Sequence, residues 1–182
     1  MVEQSPVIVL ATLNAKYIHA SLGLRYLLAN MERHGGAGLR ERTVLREFTI
    51  ARAPQEIADE LLALNPAIIG FGVYIWNVTR TCEVLRLLKS ARPDIKLVLG
   101  GPEVSHELEQ QAIVQLADHV ITGWGDVSFP KLCRAFLSPP RSPITCVPRP
   151  PVGVTFALGR PAATPTGPPP APHVHPRPHH PP

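Results

Sequence analysis

The sequence predicts an α/β fold: a doubly wound, five-stranded parallel sheet of Rossmann-like type, with the flavodoxin-like order 2-1-3-4-5. Three observations carry this. Five short apolar runs alternate with amphipathic helical stretches over short links, which demands a parallel sheet wrapped by helices through right-handed crossovers. The first run, Val7–Leu13, is apolar almost throughout, as in a strand covered on both faces. The second, Thr43–Ile50, carries Arg46 and Glu47 and suits an edge. The second strand then lies outside the first, and the switch point falls between the first and third strands.

Each element has its own signals. A helix near Ala20–His34 places Leu24, Leu27, Leu28 and Met31 on one stripe and closes at Gly35-Gly36. Pro54 opens the next helix, whose buried stripe is Ile57, Leu61 and Leu64, and Asn65-Pro66 ends it. Ala67–Tyr74 is the third strand. Asn77 or Thr79 caps a helix carrying Val78, Cys82, Leu85 and Leu88, which stops at Pro93. Ile95–Leu99 is the fourth strand. A helix bearing Leu108, Ala112, Ile113 and Leu116 is expected after it. His119–Thr122 is the fifth strand, and Gly123-Trp124-Gly125-Asp126 leads into a last helix with Phe129, Leu132, Cys133 and Phe136.

The chain divides at Leu137. Residues 1–137 form a domain long enough for a real core. Residues 138–182 hold sixteen of the 22 prolines and no Lys, Asn, Asp, Glu or Tyr. Such a segment cannot offset the entropy of folding and is expected to be disordered. It reads either as a natural Pro-rich linker or as the accidental translation that follows a truncated reading frame. Truncation after Leu137 is accordingly expected to leave the melting temperature nearly unchanged. His173, His175, His179 and His180 read as solvated tail.

Charge follows the same division. The net +4 comes entirely from Arg141, Arg149, Arg160 and Arg177, because the body balances fourteen basic against fourteen acidic residues. A neutral body offers no electrostatic footprint for a phosphate backbone, so nucleic acid is not an expected partner. Three scattered cysteines (Cys82, Cys133 and Cys146) fit a reducing compartment, and the first two fall on helix faces as core. The start lacks a basic leader and the run Val7–Leu13 is far too short to span a bilayer. A cytoplasmic protein without membrane contact is expected.

The loops at the C-terminal ends of the strands narrow the function. No Gly-x-Gly-x-x-Gly turn follows the first strand, and no phosphate loop is present. Asn14 and Tyr74 stand where a receiver domain would carry acids. No nucleophilic triad can be argued from spacing. What gathers at that edge instead is small, amide, hydroxyl or aromatic: Asn14, Tyr17, His19 and Ser21; Tyr74, Trp76 and Asn77; Gly100, Gly101 and Ser105; Gly123 and Gly125. Such a surface suits a large, flat, partly apolar ligand with amide arms. Gly100-Gly101 lets a bulky group lie against backbone, so Gly101→Val is expected to block the ligand without unfolding the chain.

Four segments carry a resemblance: Thr12–Leu27, Ile69–Asn77, Leu99–Ser105 and Val120–Asp126. Across about residues 5–137 the chain resembles the N-terminal cobalamin-binding domain of radical S-adenosylmethionine enzymes. The resemblance implies cobalamin as cofactor, with cobalt as the metal it brings, and a radical S-adenosylmethionine domain as a partner in trans. Two departures matter. The cobalt-ligating Asp-x-His-x-x-Gly of methionine-synthase-type domains is not reproduced: Tyr17 stands two before His19, and Gly23 four after it. His19 is therefore not expected to ligate cobalt. The Cys-x-x-x-Cys-x-x-Cys of the radical barrel is also missing, so the chain is expected not to be catalytic alone.

Other readings stay open. Ser21, Asn77 and Asp126 are good helix caps, and capping alone would account for them. Tyr74 and Trp76 either stack beneath a corrin or base, or pack as core. His34, His106 and His119 read as surface residues. The alternative to a cobalamin module is a fold-only fragment or protein-interaction domain that binds no cofactor.

Overall fold

Seven consecutive buried residues, Ile8–Asn14, form β1, around which the sheet is built. The computed structural model describes residues 7–16, 20–106 and 111–138, with the backbone of 154–156. After β1 come α1 (Leu22–Gly35), β2 (Thr43–Thr49), α2 (Pro54–Ala63), β3 (Ile68–Gly72), α3 (Val78–Ala91), β4 (Lys96–Gly100), β5 (His119–Ile121), α4 (Gly125–Leu137) and β6 (Val154–Phe156).

The five strands β2-β1-β3-β4-β5 are parallel in the order read from the sequence. The β6 strand extends the sheet antiparallel to β5, pairing Ile121 with Val154 and His119 with Phe156. The sheet thus has a sixth strand that the sequence reading did not include. The rest of the tail beyond Ser138 lies outside the described residues.

Strand alternation sorts the core into two layers. Val9, Ala11 and Leu13 of β1 point with Ile69, Phe71, Leu97 and Leu99 into a cluster closed by α2 and α3. Ile8 and Leu10 point the other way, with Ile68, Val98 and Ile121, toward Leu24 and Met31 of α1 and Phe129 and Cys133 of α4. Both predicted core cysteines are buried. Burial pushes the Cys133 thiol well above its usual range, which leaves it unreactive.

A polar clamp fixes the far end of the sheet. Asp118 accepts hydrogen bonds from Lys89 Nζ of α3 at 2.6 Å and from the Leu97 N–H of β4 at 2.8 Å. Beside it, His119 is partly buried with its ring 5.0 Å from that of Phe136, so it is not the plain surface residue expected. Burial holds its pKa below the usual value.

The predicted helix after β4 is corrected. Pro102–Val104 and Val114–Leu116 are short 3-10 turns. Between them, Gln111 Nε2 donates to the carbonyls of Glu103 and His106 at 2.7 and 2.9 Å. A side chain thus satisfies carbonyls that a continuing helix would pair along its own backbone. Leu108 lies outside the described residues.

Candidate functional site

Glycines create the site. On the α1/α4 face of the sheet, β3 contributes Gly70 and Gly72 where β1 contributes Leu10 and Thr12, and Gly72 pairs in register with Gly100 of β4. Without side chains there, the upper half of that face cannot fill the space under the two helices. A cleft of about 510 Å³ results, opening at the C-terminal edge of the strands. Its sheet wall is Leu10, Gly72, Val98, Gly100 and Ile121; its helix wall is Gly23, Leu24 and Leu27 of α1 with Phe129 of α4; Tyr74, Gly101, Gly123 and Trp124 stand at the mouth.

The glycines are not equivalent. A Cβ on Gly70 would lie 2.7 Å from ring atoms of Phe129, so that position is bare to receive Phe129. A Cβ on Gly100 would come no nearer than 3.7 Å to the Ile121 carbonyl oxygen, and one on Gly123 would meet nothing within 4 Å. Those two leave real space. Gly101 differs again, with φ at +117° and Val73 O 2.4 Å from where a Cβ would stand. Its bareness admits the neighbouring backbone. The expectation that Gly101→Val would leave the fold intact is therefore corrected: Val73 would be hit first.

Of the predicted site residues, Tyr74, Gly100, Gly101, Gly123 and Gly125 line the cleft. Trp76 stands behind Tyr74, stacked on it with centroids 4.6 Å apart and planes 6° from parallel. Asn77 is wholly buried and does not cap α3 with its side chain. Its Nδ2 donates to Leu13 O and Gly72 O at 3.0 and 3.1 Å, and its Oδ1 accepts from Tyr74 N–H at 2.9 Å. Asn77 thus fixes the ends of β1 and β3 and the loop bearing Tyr74. Ser105 Oγ donates to Gly101 O at 2.7 Å and holds the glycine turn. Asn14 is buried, and its carbonyl accepts from Ile50 N–H at 2.9 Å.

Two expected caps are corrected. Ser21 precedes α1, but its hydroxyl is buried and makes no hydrogen bond; Glu47 of β2 instead accepts from the Ser21 N–H and pairs with Arg25 at 2.6 Å. Asp126 lies inside the first turn of α4, after an N-cap formed by Trp124. Tyr17 and His19 lie outside the described residues. The site residues not anticipated include Leu10, Leu24, Leu27, Val98, Ile121 and Phe129, with Gly23, Gly72 and Trp124 beside them. The Leu, Val, Ile and Phe side chains read as ordinary core, and only the glycine register opposite them signals a cleft.

No group of three or more His, Cys, Asp or Glu able to hold a metal occurs among the described residues. No helix among them is long and apolar enough to cross a membrane.

An open parallel sheet with a glycine-floored cleft at its switch-point edge defines a ligand-binding α/β domain. Residues 8–133 match the family model of the B12 binding domain, and the chain belongs to that family. It is 32% identical over 88 residues to the cobalamin-dependent radical SAM methyltransferase TokK of Streptomyces tokunonensis, a match covering 46% of this chain and 12% of that protein. The crystal structure of a novel cobalamin-binding protein from Desulfitobacterium hafniense DCB-2 shares the fold, with a TM-score of 0.52 and 19% identity over 74% of this chain and 60% of that one. The protein is a cobalamin-binding domain similar to those of cobalamin-dependent radical SAM enzymes. The residues present fit that cofactor: bare Gly100 and Gly123 leave room that a Cβ would fill, beneath an aromatic rim.

Proposed function

We propose that this chain binds cobalamin in the α1/α4 cleft and presents it to a radical S-adenosylmethionine domain in trans. The supporting observation is the distribution of exposed large apolar side chains. Leu22 and Tyr26 of α1, Ile75 and Trp76 after β3, and Trp124 after β5 are the exposed large hydrophobics among the described residues. All belong to segments at the cleft's edge, and Trp124 is 80% exposed. A rim that is wet and apolar around a ligand cleft suits a second surface closing over the ligand. When bound, cobalamin supplies a cobalt centre able to carry an alkyl group. The chain's own contribution is to hold and orient the ring.

Tyr74, Gly100, Gly101, Gly123 and Gly125 are the proposed contacts. Trp76, Asn77 and Ser105 act behind them, by stacking on Tyr74, fixing its loop and holding the glycine turn. Asn14, Ser21, Tyr17 and His19 complete the first loop's proposed contribution. A visible titration of the full chain with hydroxocobalamin, followed by gel filtration, tests the reading. Co-elution of the cobalamin band at one equivalent is expected. Elution of protein free of colour would favour the cofactor-free interaction domain instead.

A further inference from the structure

We propose that the outer edge of β5 is a strand-addition site for an extended peptide, plugged in this chain by its own tail segment 152–160. The two edges of the parallel sheet are guarded differently. At one edge β2 carries Arg46 and Glu47, paired with Glu60 at 3.7 Å and with Arg25 at 2.6 Å. Charged side chains on an edge strand keep other strands away. Among the described residues nothing pairs with the outer side of β2. At the other edge β5, His119–Ile121, has no Lys, Arg, Asp or Glu, and its Val120 and Ile121 are buried. Its inner side pairs with β4 and its outer side with β6.

The tail supplies a strand where its sequence permits one. Residues 138–182 hold sixteen prolines, none with a backbone N–H to give to a ladder. Their longest proline-free run is 152–160, and Val154–Phe156 lies inside it. Valine, threonine and phenylalanine are also residues that favour strands. The register is antiparallel, with Ile121 opposite Val154, Val120 opposite Thr155 and His119 opposite Phe156. Pro151 and Pro161 bound the run on both sides, so the ladder cannot extend past them.

The connection leaves the strand free to exchange. α4 ends beside the start of β5, where the Phe136 ring stands 5.0 Å from that of His119. β6 begins at the opposite end, against Ile121. The chain must regain the height of β5, about 10 Å for three residues. Residues 139–153 have about 50 Å of reach with which to do it. That slack keeps the strand near its seat, while only a three-residue ladder holds it there. A free peptide of the same sequence competes for the seat against a tethered rival.

The test uses the full chain, as the parent and with Val154→Pro, Thr155→Pro and Phe156→Pro combined, which removes every N–H of β6. The probe is a synthetic peptide of residues 152–160, titrated while the amide resonances of His119, Val120 and Ile121 are followed. In the variant those amides should exchange with solvent faster than in the parent, and the peptide should restore their protection. The parent should bind the peptide more weakly by about tenfold or more, because its own tail is already seated. A peptide bearing the same three substitutions should bind neither protein. Binding of the unaltered peptide equally to both proteins, or to neither, overturns the strand-addition site. Exchange of β5 that is the same in parent and variant overturns the plug. Loss of the fold in the variant would make β6 an integral strand and overturns it likewise. A parent dimer that the variant reduces to a monomer would show the strand donated between copies and overturns its seating in its own chain.

Discussion

The Asn77 carboxamide reaches across the sheet to the backbone of Leu13, 64 residues earlier, with Nδ2 3.0 Å from the carbonyl oxygen. The same nitrogen bonds Gly72 O, and Oδ1 holds the Tyr74 N–H. One wholly buried amide therefore satisfies three backbone groups at the C-terminal ends of β1 and β3. In open α/β sheets that edge, at the switch point, is where ligands bind.

Asn77→Asp should be strongly destabilising. The carboxylate keeps the acceptor but loses both donations, leaving two carbonyls facing a buried charge. A loss of about 2–4 kcal/mol in urea denaturation is expected. A loss below about 0.5 kcal/mol, the scale of an ordinary surface change, would show that the amide's bonds are dispensable.

Glu47 should matter more than the partner it pairs with. Its carboxylate accepts from the Ser21 N–H at the start of α1, while Arg25 is half-exposed. Arg25→Ala should cost under about 1 kcal/mol, as exposed ion pairs do. Glu47→Ala should cost about 1–2 kcal/mol, as loss of a helix-capping acceptor does. Glu47→Gln, which keeps an acceptor, should recover part of that loss. Equal losses for Arg25→Ala and Glu47→Ala would assign the stabilisation to the ion pair.

The two glycines after β4 should fail differently. At Gly101 an added Cβ meets the Val73 backbone in a left-handed conformation, so Gly101→Ala should lower thermal stability sharply. At Gly100 the added methyl has ordinary contact only, so Gly100→Ala should fold as the parent does while weakening cobalamin. Thermal melts paired with visible titration separate the effects. A stable Gly101→Ala protein would contradict the backbone argument, and unchanged affinity in Gly100→Ala would remove Gly100 from the contact set.

Asp118 should make stability fall at low pH. Burial alone would raise its pKa, but the hydrogen bonds from Lys89 and the Leu97 N–H outweigh that, and the carboxyl lies below its ordinary value. A group depressed on folding contributes stability above its unfolded pKa of about 3.9, and that contribution is lost as pH falls through the folded value. Denaturation midpoints measured between pH 6 and pH 3 should drop, and the drop should shrink in Asp118→Asn. An identical acid limb in the variant would place the acid sensitivity elsewhere.

Sheet order was legible because β2 advertises itself: Arg46 and Glu47 cannot sit in a strand covered on both faces, whereas Val7–Leu13 can. The five parallel strands follow from that contrast. The role of Asn77 was not legible, because an asparagine before a helix reads as a cap, and only the fold shows its amide turned back to Leu13. The purpose of Gly101 was hidden likewise, since it depends on Val73, 28 positions earlier. The segment after β4 misled through Ile113 and Leu116, whose apolar spacing reads as helical. Gln111 tying Glu103 and His106 is a contact that no periodicity reveals. Phe129 looked like core and is core, yet it also lines the cleft.

The stacked pair Tyr74–Trp76 gives the protein an optical property. The chain has two tryptophans, and Trp76 backs the cleft's Tyr74 wall while Trp124 stands at its mouth. Nearly all indole emission therefore originates within one ligand's reach of the site, with no distant tryptophan to dilute it. The native chain is its own fluorescent probe: a strongly absorbing guest should darken it, and Trp76→Phe or Trp124→Phe would tell which side of the cleft the light comes from.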